Sequence, residues 1–434
     1  MVVFGLATRA LSCTYDLLGD NIETISEGGV QRQKYWYDSL NQLIREDNLD
    51  LNKTIVYSYD LGGNITSTAE YAYQTGATVT GSPTTTNTYT YGDSNWKDKL
   101  TAYNGNTISY DAIGNPLSYY NGFTFTWQKG RQLASATNGT TSVTYTYNND
   151  GYRTAKTING TTTDYTLEGD RVLIEKSGSD YVWFYYDAAG APVAMATGSG
   201  PSLYIYRKNL QGDITGIYSG TTGTLLVSYV YDAWGKVTAT NVANTTESSM
   251  VLARNPYLYR GYRYDVETGL YYLNSRYYDP ETGRFINADG FVSTGQGILG
   301  SNMFAYCENN PVNESDSSGY ASKIAVCTYE DSLHGCLEFV HIILFGTLGA
   351  IALGKIITTS FPVTKKNIIV TQSKGHQGNM RDSGLVGDSN EEVQKRYKDS
   401  NTSKKEKRRL QKELKARRQR DVKKRKNYVH FKKD

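Results

Sequence analysis

A dipeptide of tyrosine and aspartate recurs along most of the chain, and this repeat constrains the fold more than any other feature. It begins at Tyr15, Tyr37 and Tyr59, a spacing of 22 residues. It recurs less evenly at Tyr110, Tyr186, Tyr231, Tyr264 and Tyr278. A regular period of this kind is typical of repeat architectures built from one supersecondary unit. Because one unit cannot bury its own apolar face, we expect the units to pair edge to edge in a continuous sheet, with closing pieces at its ends.

Several repeats continue as Asp-x-x-Gly, as in "YDLGGNITS" and "YDAWGKVTA". This pattern suits a type I turn, because the carboxylate can cap nearby amides and glycine tolerates the exit geometry. Stretches such as "VTYTYNND" alternate aromatic and small polar residues, as strands do. With 38 Tyr, 42 Gly and only 8 Pro in 434 residues, the sequence predicts a mainly β fold in which tyrosine rings pack on the sheet and their hydroxyls reach water or backbone carbonyls.

The cysteines and the N-terminus carry further information about the class of protein. The four cysteines are too few and too scattered for a disulfide framework, and no Cys/His group has the spacing of a zinc site. We therefore expect neither a metal nor another cofactor. The N-terminus lacks the pattern of a secretory signal, and "TYDLLGDN" already looks like an internal repeat. The simplest interpretation is that the chain is the C-terminal part of a longer polypeptide.

Two ordered motifs follow the repeats: "YRGYRYDVETGLYYLNSRYYDPETGRFINAD", from Tyr259 to Asp289, and "NMFAYCENNPVN", from Asn302 to Asn313. They resemble the repeat-associated core of RHS/YD-repeat proteins, and with the preceding repeats the resemblance covers about residues 14 to 319. It implies a spiral β-sheet shell that encloses a cavity, with a variable C-terminal domain, often a toxin, released inside it. A secreted or cell-surface location is then expected. The alternative is a surface adhesion protein whose exposed tyrosines bind carbohydrate.

The resemblance divides the chain into four regions. In the shell interpretation, the core tyrosines at positions 271, 272, 277 and 278 are packing residues. The expected regions are a repeat region at 1–258, the core at 259–319, a variable linker at 320–373 and a basic, largely α-helical toxin domain at 374–434.

The same resemblance implies a self-cleavage site at the end of the core. RHS cores commonly end in Asp-Pro-x-Gly-Leu, after which the chain cuts itself with two carboxylates acting as in an aspartyl protease. By position the carboxylates are Asp289 and Asp316, and the scissile bond follows Tyr320. The sequence departs from the pattern, since Gly290 and Ser317 replace the prolines and Tyr320 replaces the leucine. The alternative is that both aspartates only cap turns.

An apolar stretch, "FVHIILFGTLGAIALG", begins the region after the core, and it extends to residue 361 if Lys355 snorkels. Its length is short of the roughly 20 residues that a straight spanning helix needs. Glycines at 346, 349 and 354 would allow close helix packing in a membrane. The segment 339–361 is therefore predicted to insert in a membrane or assist translocation, with storage inside the shell or burial in an ordinary helix as alternatives.

The last 44 residues are strongly basic, with 19 Lys and Arg against 7 Asp and Glu, whereas the rest of the chain has a net charge of −9. A helix this rich in cations can neutralise phosphates. The predicted nucleic-acid contacts are Arg408, Arg409, Lys412, Arg417, Arg418, Lys423, Lys424 and Arg425. A solvated helix, or one lying on anionic lipid, is the alternative. Such a surface also predicts an acidic immunity protein as partner.

Chemistry in this tail is predicted around one histidine. His376 lies in the glycine-rich "KGHQGNMRDSG" with Lys374, Arg381 and Asp382 nearby. Histidine can move protons and the cations can stabilise a phosphorane, which are the requirements for cleaving RNA. The preferred function is therefore a polymorphic toxin with a nucleic-acid-directed effector. The alternatives are a membrane-disrupting toxin acting through 339–361, a non-enzymatic adhesion protein, and an exposed histidine without a catalytic role.

Overall fold

The structure is a computed structural model, and it describes residues 10–17, 19–198, 202–291, 299–320 and 322–324. The apolar segment 339–361, the residues around His376 and the basic tail lie outside the described residues. Within the described ranges, no helix has the length and apolar character needed to cross a membrane.

The first sheet has nine antiparallel strands that pair in chain order. Each strand is hydrogen-bonded to the next one along the chain, as the repeat predicts. The strands are β1 (Leu11–Tyr15), β2 (Ile22–Glu27), β3 (Val30–Tyr37), β4 (Leu43–Asn48), β5 (Lys53–Tyr59), β6 (Ile65–Ala72), β7 (Thr85–Thr90), β8 (Ala102–Tyr103) and β9 (Asn106–Thr107).

The second sheet has fourteen strands, again antiparallel and in chain order. Its strands are β10 (Ser109–Tyr110), β11 (Pro116–Ser118), β12 (Thr124–Gln128), β13 (Gln132–Thr137), β14 (Ser142–Tyr147), β15 (Arg153–Ile158), β16 (Thr161–Glu168), β17 (Arg171–Ser177), β18 (Asp180–Tyr186), β19 (Pro192–Thr197), β20 (Ser202–Lys208), β21 (Ile214–Ser219), β22 (Leu225–Tyr231) and β23 (Val237–Asn241). The prediction of a mainly β fold is confirmed.

The prediction of one continuous sheet is wrong at Ile108, where the first sheet ends and the second begins. Strands β8 to β11 are only two or three residues long. Ile108 is buried, and its backbone N–H donates to the Thr101 carbonyl instead of continuing the ladder between β9 and β10. The backbone of Ile108 therefore stays paired with the strand before it, and the ladder of the second sheet starts one residue later, at Ser109.

The repeat turns have the predicted geometry. In the turn at Asp60, the N–H of Gly63 donates to the Asp60 carbonyl at 3.1 Å, and the carboxylate accepts from the backbone N–H of Gly62 and Asn64 at 2.8 and 2.9 Å. Gly63 has a φ of +77°, a left-handed conformation that glycine adopts without strain. The aspartate therefore closes each turn through both its backbone and its side chain.

The repeat tyrosines link each unit to an earlier one. Tyr37 donates its hydroxyl to the Ile22 carbonyl at 2.9 Å, Tyr59 donates to Leu43, and Tyr231 donates to Ile214 at 2.6 Å. Tyr91, Tyr110, Tyr147 and Tyr186 make the same kind of bond. Each ring thus packs on the sheet while its hydroxyl satisfies a backbone carbonyl, as the composition predicts.

After the second sheet, the helix α1 (Thr246–Arg254) leads into residues 257–320, which we call the core segment. Thr245 caps α1, since its hydroxyl accepts from the Ser248 N–H. Within the core segment, one small antiparallel sheet consists of β24 (Arg263–Asp265), β25 (Leu270–Leu273), β26 (Arg276–Asp279) and β27 (Arg284–Phe285). The strand β28 (Glu314–Ser315) pairs with β29 (Lys323–Ile324), which lies just beyond the core segment. Short 3-10 turns lie at Tyr259–Gly261, Leu299–Ser301 and Cys307–Asn309.

The core tyrosines are packing residues, as predicted. Tyr271, Tyr272, Tyr277 and Tyr278 are all buried and belong to a hydrophobic core that also includes inward residues of both large sheets. Tyr278 and Tyr306 lie 4.2 Å apart between ring centroids. These rings therefore lie inside the protein, which disfavours an adhesion surface made of the core tyrosines.

The second sheet contacts the core segment through buried charges. Arg153 of β15 pairs with both carboxylate oxygens of Asp265, and Lys156 reaches the same carboxylate at 3.1 Å. Arg263 of the core segment pairs in turn with Glu175 of β17. Burial alone would raise the pKa of Asp265, but the charges of Arg153 and Lys156 outweigh it and hold that pKa well below its usual range.

The turn at 232–235, between β22 and β23, is where the first sheet, the second sheet and the core segment meet. Glu46 of β4 accepts from the Ala233 N–H at 2.8 Å, and Asn48 donates to the Tyr231 carbonyl at 2.9 Å. Hydroxyls of the core segment satisfy the remaining carbonyls of the turn, with Tyr259 on Ala233, Tyr278 on Trp234 and Tyr271 on Gly235. Side chains from the first sheet and from the core segment thus hold the turn by hydrogen bonds to its backbone.

Candidate self-cleavage site

Asp289 lies four residues beyond β27, in a stretch fixed by the backbone. Its N–H donates to the Met303 carbonyl at 2.8 Å. One carboxylate oxygen, Oδ1, accepts from the Phe291 N–H at 2.8 Å. The other oxygen, Oδ2, lies 2.9 Å from Nη2 of Arg276. Asp289 therefore caps a local turn with one oxygen and offers the second to a buried cation.

Asp316 directly follows β28, and its two carboxylate oxygens also have different partners. Its N–H donates to the Tyr262 hydroxyl at 2.8 Å. Its Oδ1 accepts from the backbone N–H groups of Ser318 and Gly319 at 3.2 and 2.8 Å, and from the Ser318 hydroxyl at 3.1 Å. Its Oδ2 lies 3.5 Å from Nη2 of Arg276. The same nitrogen therefore faces both carboxylates.

Arg276, the first residue of β26, joins the two aspartates. Its guanidinium lies 3.5 Å from the centre of the Phe285 ring, and its Nη1 donates to the Met303 carbonyl at 3.2 Å. Its Nε donates to the Gly319 carbonyl, one residue before Tyr320. A single planar cation with several fixed donors thus connects both acids with the end of the core segment.

Gly319 brings the end of the core segment into close backbone contact with the turn between β25 and β26. It has a φ of +72°, and a Cβ atom there would lie only 2.5 Å from the Leu273 carbonyl oxygen. The hydroxyl of Ser275 donates to the Ser318 carbonyl at 2.8 Å. Only glycine fits this approach, so the chain reaches Tyr320 along a defined path.

Burial and charge give the site its electrostatic character. Arg276, Asp289 and Asp316 are buried, with 5%, 3% and 2% of their surfaces exposed. Burial raises the pKa of the Asp289 carboxyl against the opposing charge of Arg276. Burial likewise lowers the pKa of Arg276, although both carboxylates favour its charged form. Tyr320 is half exposed and its ring lies against that of Phe291, with centroids 5.8 Å apart.

The structure brings together all three residues that the sequence analysis assigns to self-cleavage. Asp289 and Asp316 meet at one guanidinium, and Tyr320 follows the glycine that this guanidinium holds. Both aspartates also cap turns. The turn-capping interpretation therefore describes their Oδ1 atoms, and the self-cleavage interpretation describes their Oδ2 atoms, which face Arg276. Sequence reasoning missed Arg276 and Ser275, although an arginine within the tyrosine-rich "NSRYYDP" was a signal, because a cation in a buried stretch needs an acidic partner.

The other predicted site residues lie outside the described residues. They are His376, Lys374, Arg381 and Asp382 for the effector, and Arg408, Arg409, Lys412, Arg417, Arg418, Lys423, Lys424 and Arg425 for nucleic acid. In the part of the chain that the structure describes, no group of three or more His, Cys, Asp or Glu side chains is arranged to hold a metal ion.

Comparison with known proteins finds relatives that match a large part of the chain. No protein-family model matches the chain. It is 36% identical over 289 residues to the tRNA nuclease WapA of Bacillus subtilis (strain 168), covering 65% of this chain and 12% of that protein. It is 27% identical over 352 residues to double-stranded DNA deaminase toxin A of Burkholderia cenocepacia (strain H111), covering 73% of this chain and 23% of the relative. The chain thus spans less than a quarter of either relative.

Solved structures show the same fold. The complex TcdB2-TccC3-Cdc42 superposes with a TM-score of 0.58 at 22% sequence identity, over 72% of this chain and 17% of that one. The common architecture is an open arrangement of large antiparallel sheets. The chain is thus similar in sequence to a tRNA nuclease and to a DNA deaminase toxin, and it shares the fold of the TccC3-containing complex.

Proposed function

We propose that this chain is the shell-forming portion of an RHS-type toxin and that its core segment cuts the polypeptide between Tyr320 and Ala321, freeing a C-terminal effector. The observation that supports this proposal is the convergence of Asp289 and Asp316 on Arg276, whose guanidinium also holds the Gly319 carbonyl. Two carboxyl groups in different surroundings are the requirement for paired acid and base catalysis of amide hydrolysis.

The chemistry assigns a different role to each side chain. Asp316 takes a proton from a water molecule, which attacks the Tyr320 carbonyl carbon. Arg276 stabilises the negative oxygen that develops there. Asp289, whose pKa burial raises, donates a proton to the departing nitrogen of Ala321. The C–N bond breaks, leaving a carboxylate on Tyr320 and a free amino group on Ala321.

Cleavage can be tested by expressing the full chain and determining the masses and the new N-terminus of its fragments. The wild-type chain is expected to yield a fragment that begins at Ala321. Asp289→Asn and Asp316→Asn each keep an oxygen that can cap the local turn but lose the acid or base. Both variants are expected to remain intact, with a rate at least ~100-fold lower, the usual contribution of one general acid or base.

The matched control is Asp187→Asn. Asp187 caps a repeat turn through the Ala191 N–H in the same manner, without contacting Arg276. This variant is expected to cleave like the wild type. An intact wild-type chain, or cleavage in both Asp289→Asn and Asp316→Asn, would contradict the proposed self-cleavage.

The freed effector is proposed to act on nucleic acid inside a competing or host cell. Support comes from the basic 44-residue tail and from relatives named as a tRNA nuclease and a DNA deaminase toxin. Full-length chain expressed in bacteria is expected to arrest growth and degrade nucleic acid, and His376→Ala is expected to relieve both. Arrest with intact nucleic acid would instead favour a membrane-disrupting effector acting through 339–361.

A cognate immunity protein is part of the same proposal. The effector region carries a strong positive charge, so we expect its inhibitor to present an acidic surface that steers rapid association. Binding of such a partner to the freed tail should weaken as salt concentration rises. Equal binding at low and high salt would contradict an electrostatic interface.

A further inference from the structure

A set of side-chain amides connects the first three repeat turns to the core segment. In these turns the carboxylate that closes the turn also accepts from the amide of a nearby Asn or Gln. Asn21 donates to Asp16, Gln42 donates to Asp38, and Asn64 donates to Asp60. All three amides are buried, with 2%, 3% and 1% of their surfaces exposed. Because its nitrogen is already engaged, each amide presents its carbonyl oxygen away from its own turn.

Those three oxygens are used by amides of the core segment. Asn302 donates to Asn64, Asn309 donates to Gln42, and Asn310 donates to Asn21, each at 2.9 Å. Asn309 also donates to the Gly63 carbonyl. We call these paired amides the amide ladder. The partners are separated by 238 to 289 residues in the chain, so the ladder forms only when the repeats and the core segment are both in place.

The ladder ends at Asn313, three residues before the candidate catalytic Asp316. Asn313 accepts from the Ile22 N–H at 2.7 Å and donates to Asn310 at 2.7 Å, to the Tyr37 hydroxyl at 3.1 Å and to Asn21 at 3.3 Å. Three residues span at most roughly 11 Å of extended chain. Fixing Asn313 against the first repeat therefore restricts where Asp316 can lie.

We propose that the amide ladder makes self-cleavage conditional on the folding of the first three repeat turns, with Asn21, Asn310 and Asn313 as positioning residues for Asp316. The inference rests on the proposed self-cleavage. Without the ladder, Asp316 and Gly319 lose their fixed position relative to Arg276, and the two carboxylates no longer converge. A chain with incomplete repeats then keeps its C-terminal region attached until the first sheet has closed on the core segment.

The variant that tests the proposal most directly is Asn21→Ala, because Asn21 lies far from the site in sequence and contacts none of the reacting groups. This substitution leaves the buried amide of Asn310 without its acceptor and removes one of the three acceptors of the Asn313 amide. We expect the cleavage rate of the full chain to fall by roughly tenfold, the effect of one unsatisfied buried polar group. Asn310→Ala should lower the rate to a similar degree. The double variant should be slowed by less than the product of the two single effects, because both substitutions remove the bond between Asn310 and Asn21.

The control for a general loss of stability is Val143→Ala. Val143 is fully buried in β14 of the second sheet, and truncating it destabilises the fold without touching the ladder. The rates should be compared at temperatures that lie equally far below each variant's Tm. Val143→Ala is expected to cleave like the wild type under these conditions, whereas Asn21→Ala stays slow.

A second measurement keeps the inference testable apart from cleavage. In an Asp289→Asn background, hydrogen exchange at the Ser318 and Gly319 amides reports whether Asp316 still caps its turn. Asn21→Ala should speed this exchange, and Val143→Ala should not. An intact wild-type chain with the expected exchange pattern would refute self-cleavage while retaining the ladder's positioning role. Unchanged exchange in Asn21→Ala, or wild-type cleavage in that variant, would overturn the inference.

Discussion

The two large sheets hold the same core segment by different chemistry. The first sheet holds it with neutral groups, the amide ladder at its turns. The first sheet also contacts the 232–235 turn of the second sheet through Glu46, a carboxyl whose pKa is raised to about 8, first by burial and then by the charge of Asp232. The second sheet uses buried ions, with Asp265 between Arg153 and Lys156, and Arg263 against Glu175. The amides fix the position of the core segment through matched hydrogen-bond donors and acceptors. The ion pairs fix it through buried charges, each of which needs an opposite charge beside it.

The difference predicts opposite responses to pH. The carboxyl of Asp265 has a depressed pKa, so its contribution to stability is present at neutral pH and is lost as pH falls toward and below its usual range. Glu46 has a raised pKa, so its contribution is complete below about pH 4.5 and is lost as pH rises through about 8. Acid therefore weakens the second sheet's contact with the core segment, and alkali weakens the first sheet's contact with the 232–235 turn of the second sheet.

The largest expected effect is on the ionic contact. Asp265→Ala leaves Arg153 buried without its carboxylate, whereas Lys156 keeps its pair with Glu267. The substitution should lower the free energy of unfolding by about 3–5 kcal/mol. Urea denaturation at neutral pH measures this loss. Glu168→Ala is the control, because its pair with Arg171 is exposed and should be worth ~1 kcal/mol or less. A loss for Asp265→Ala no greater than for the control would show that this pair does not hold the core segment.

The neutral carboxyl is tested by Glu46→Gln. Glutamine retains an acceptor for the Ala233 N–H but cannot ionise. The free energy of unfolding of the wild type should fall between pH 4.5 and 8, and the variant should have a shallower slope. Some slope remains, because burial raises the pKa of Asp232 to about 7. Equal slopes in both proteins would mean that Glu46 does not titrate in this range.

The smallest effect concerns bonds within the sheets, where the two regions are alike. Tyr59→Phe in the first sheet and Tyr231→Phe in the second each remove one hydroxyl bond to a backbone carbonyl. Each should cost about 0.5–1.5 kcal/mol in the free energy of unfolding, as measured by thermal or urea denaturation. A large difference between the two would show that the sheets differ internally and not only in how they hold the core segment.

Much of the local structure could be predicted from the sequence. The alternating aromatics, the Asp-x-x-Gly turns and the period of the repeat depend on neighbouring residues, and strands such as β5 and turns such as that at Asp60 follow them. Asp289 and Asp316 were also found, although through resemblance to a family and not through their surroundings. The break at Ile108 was missed because it depends on which backbone partner each short strand finds after folding.

The sequence by itself determined the class of fold, the turn chemistry and the inward packing of the tyrosines, since these arise from period, propensity and local hydrogen bonding. Only the tertiary structure decided that Arg276 joins two aspartates and that Asn21 reaches Asn310, 289 residues away. The sequence around such residues does not reveal these pairs. An asparagine in a turn can donate to the aspartate of that turn whether or not its carbonyl oxygen accepts a hydrogen bond from the core segment. The physical reason is that burial and partner, not residue type, decide what these polar groups do.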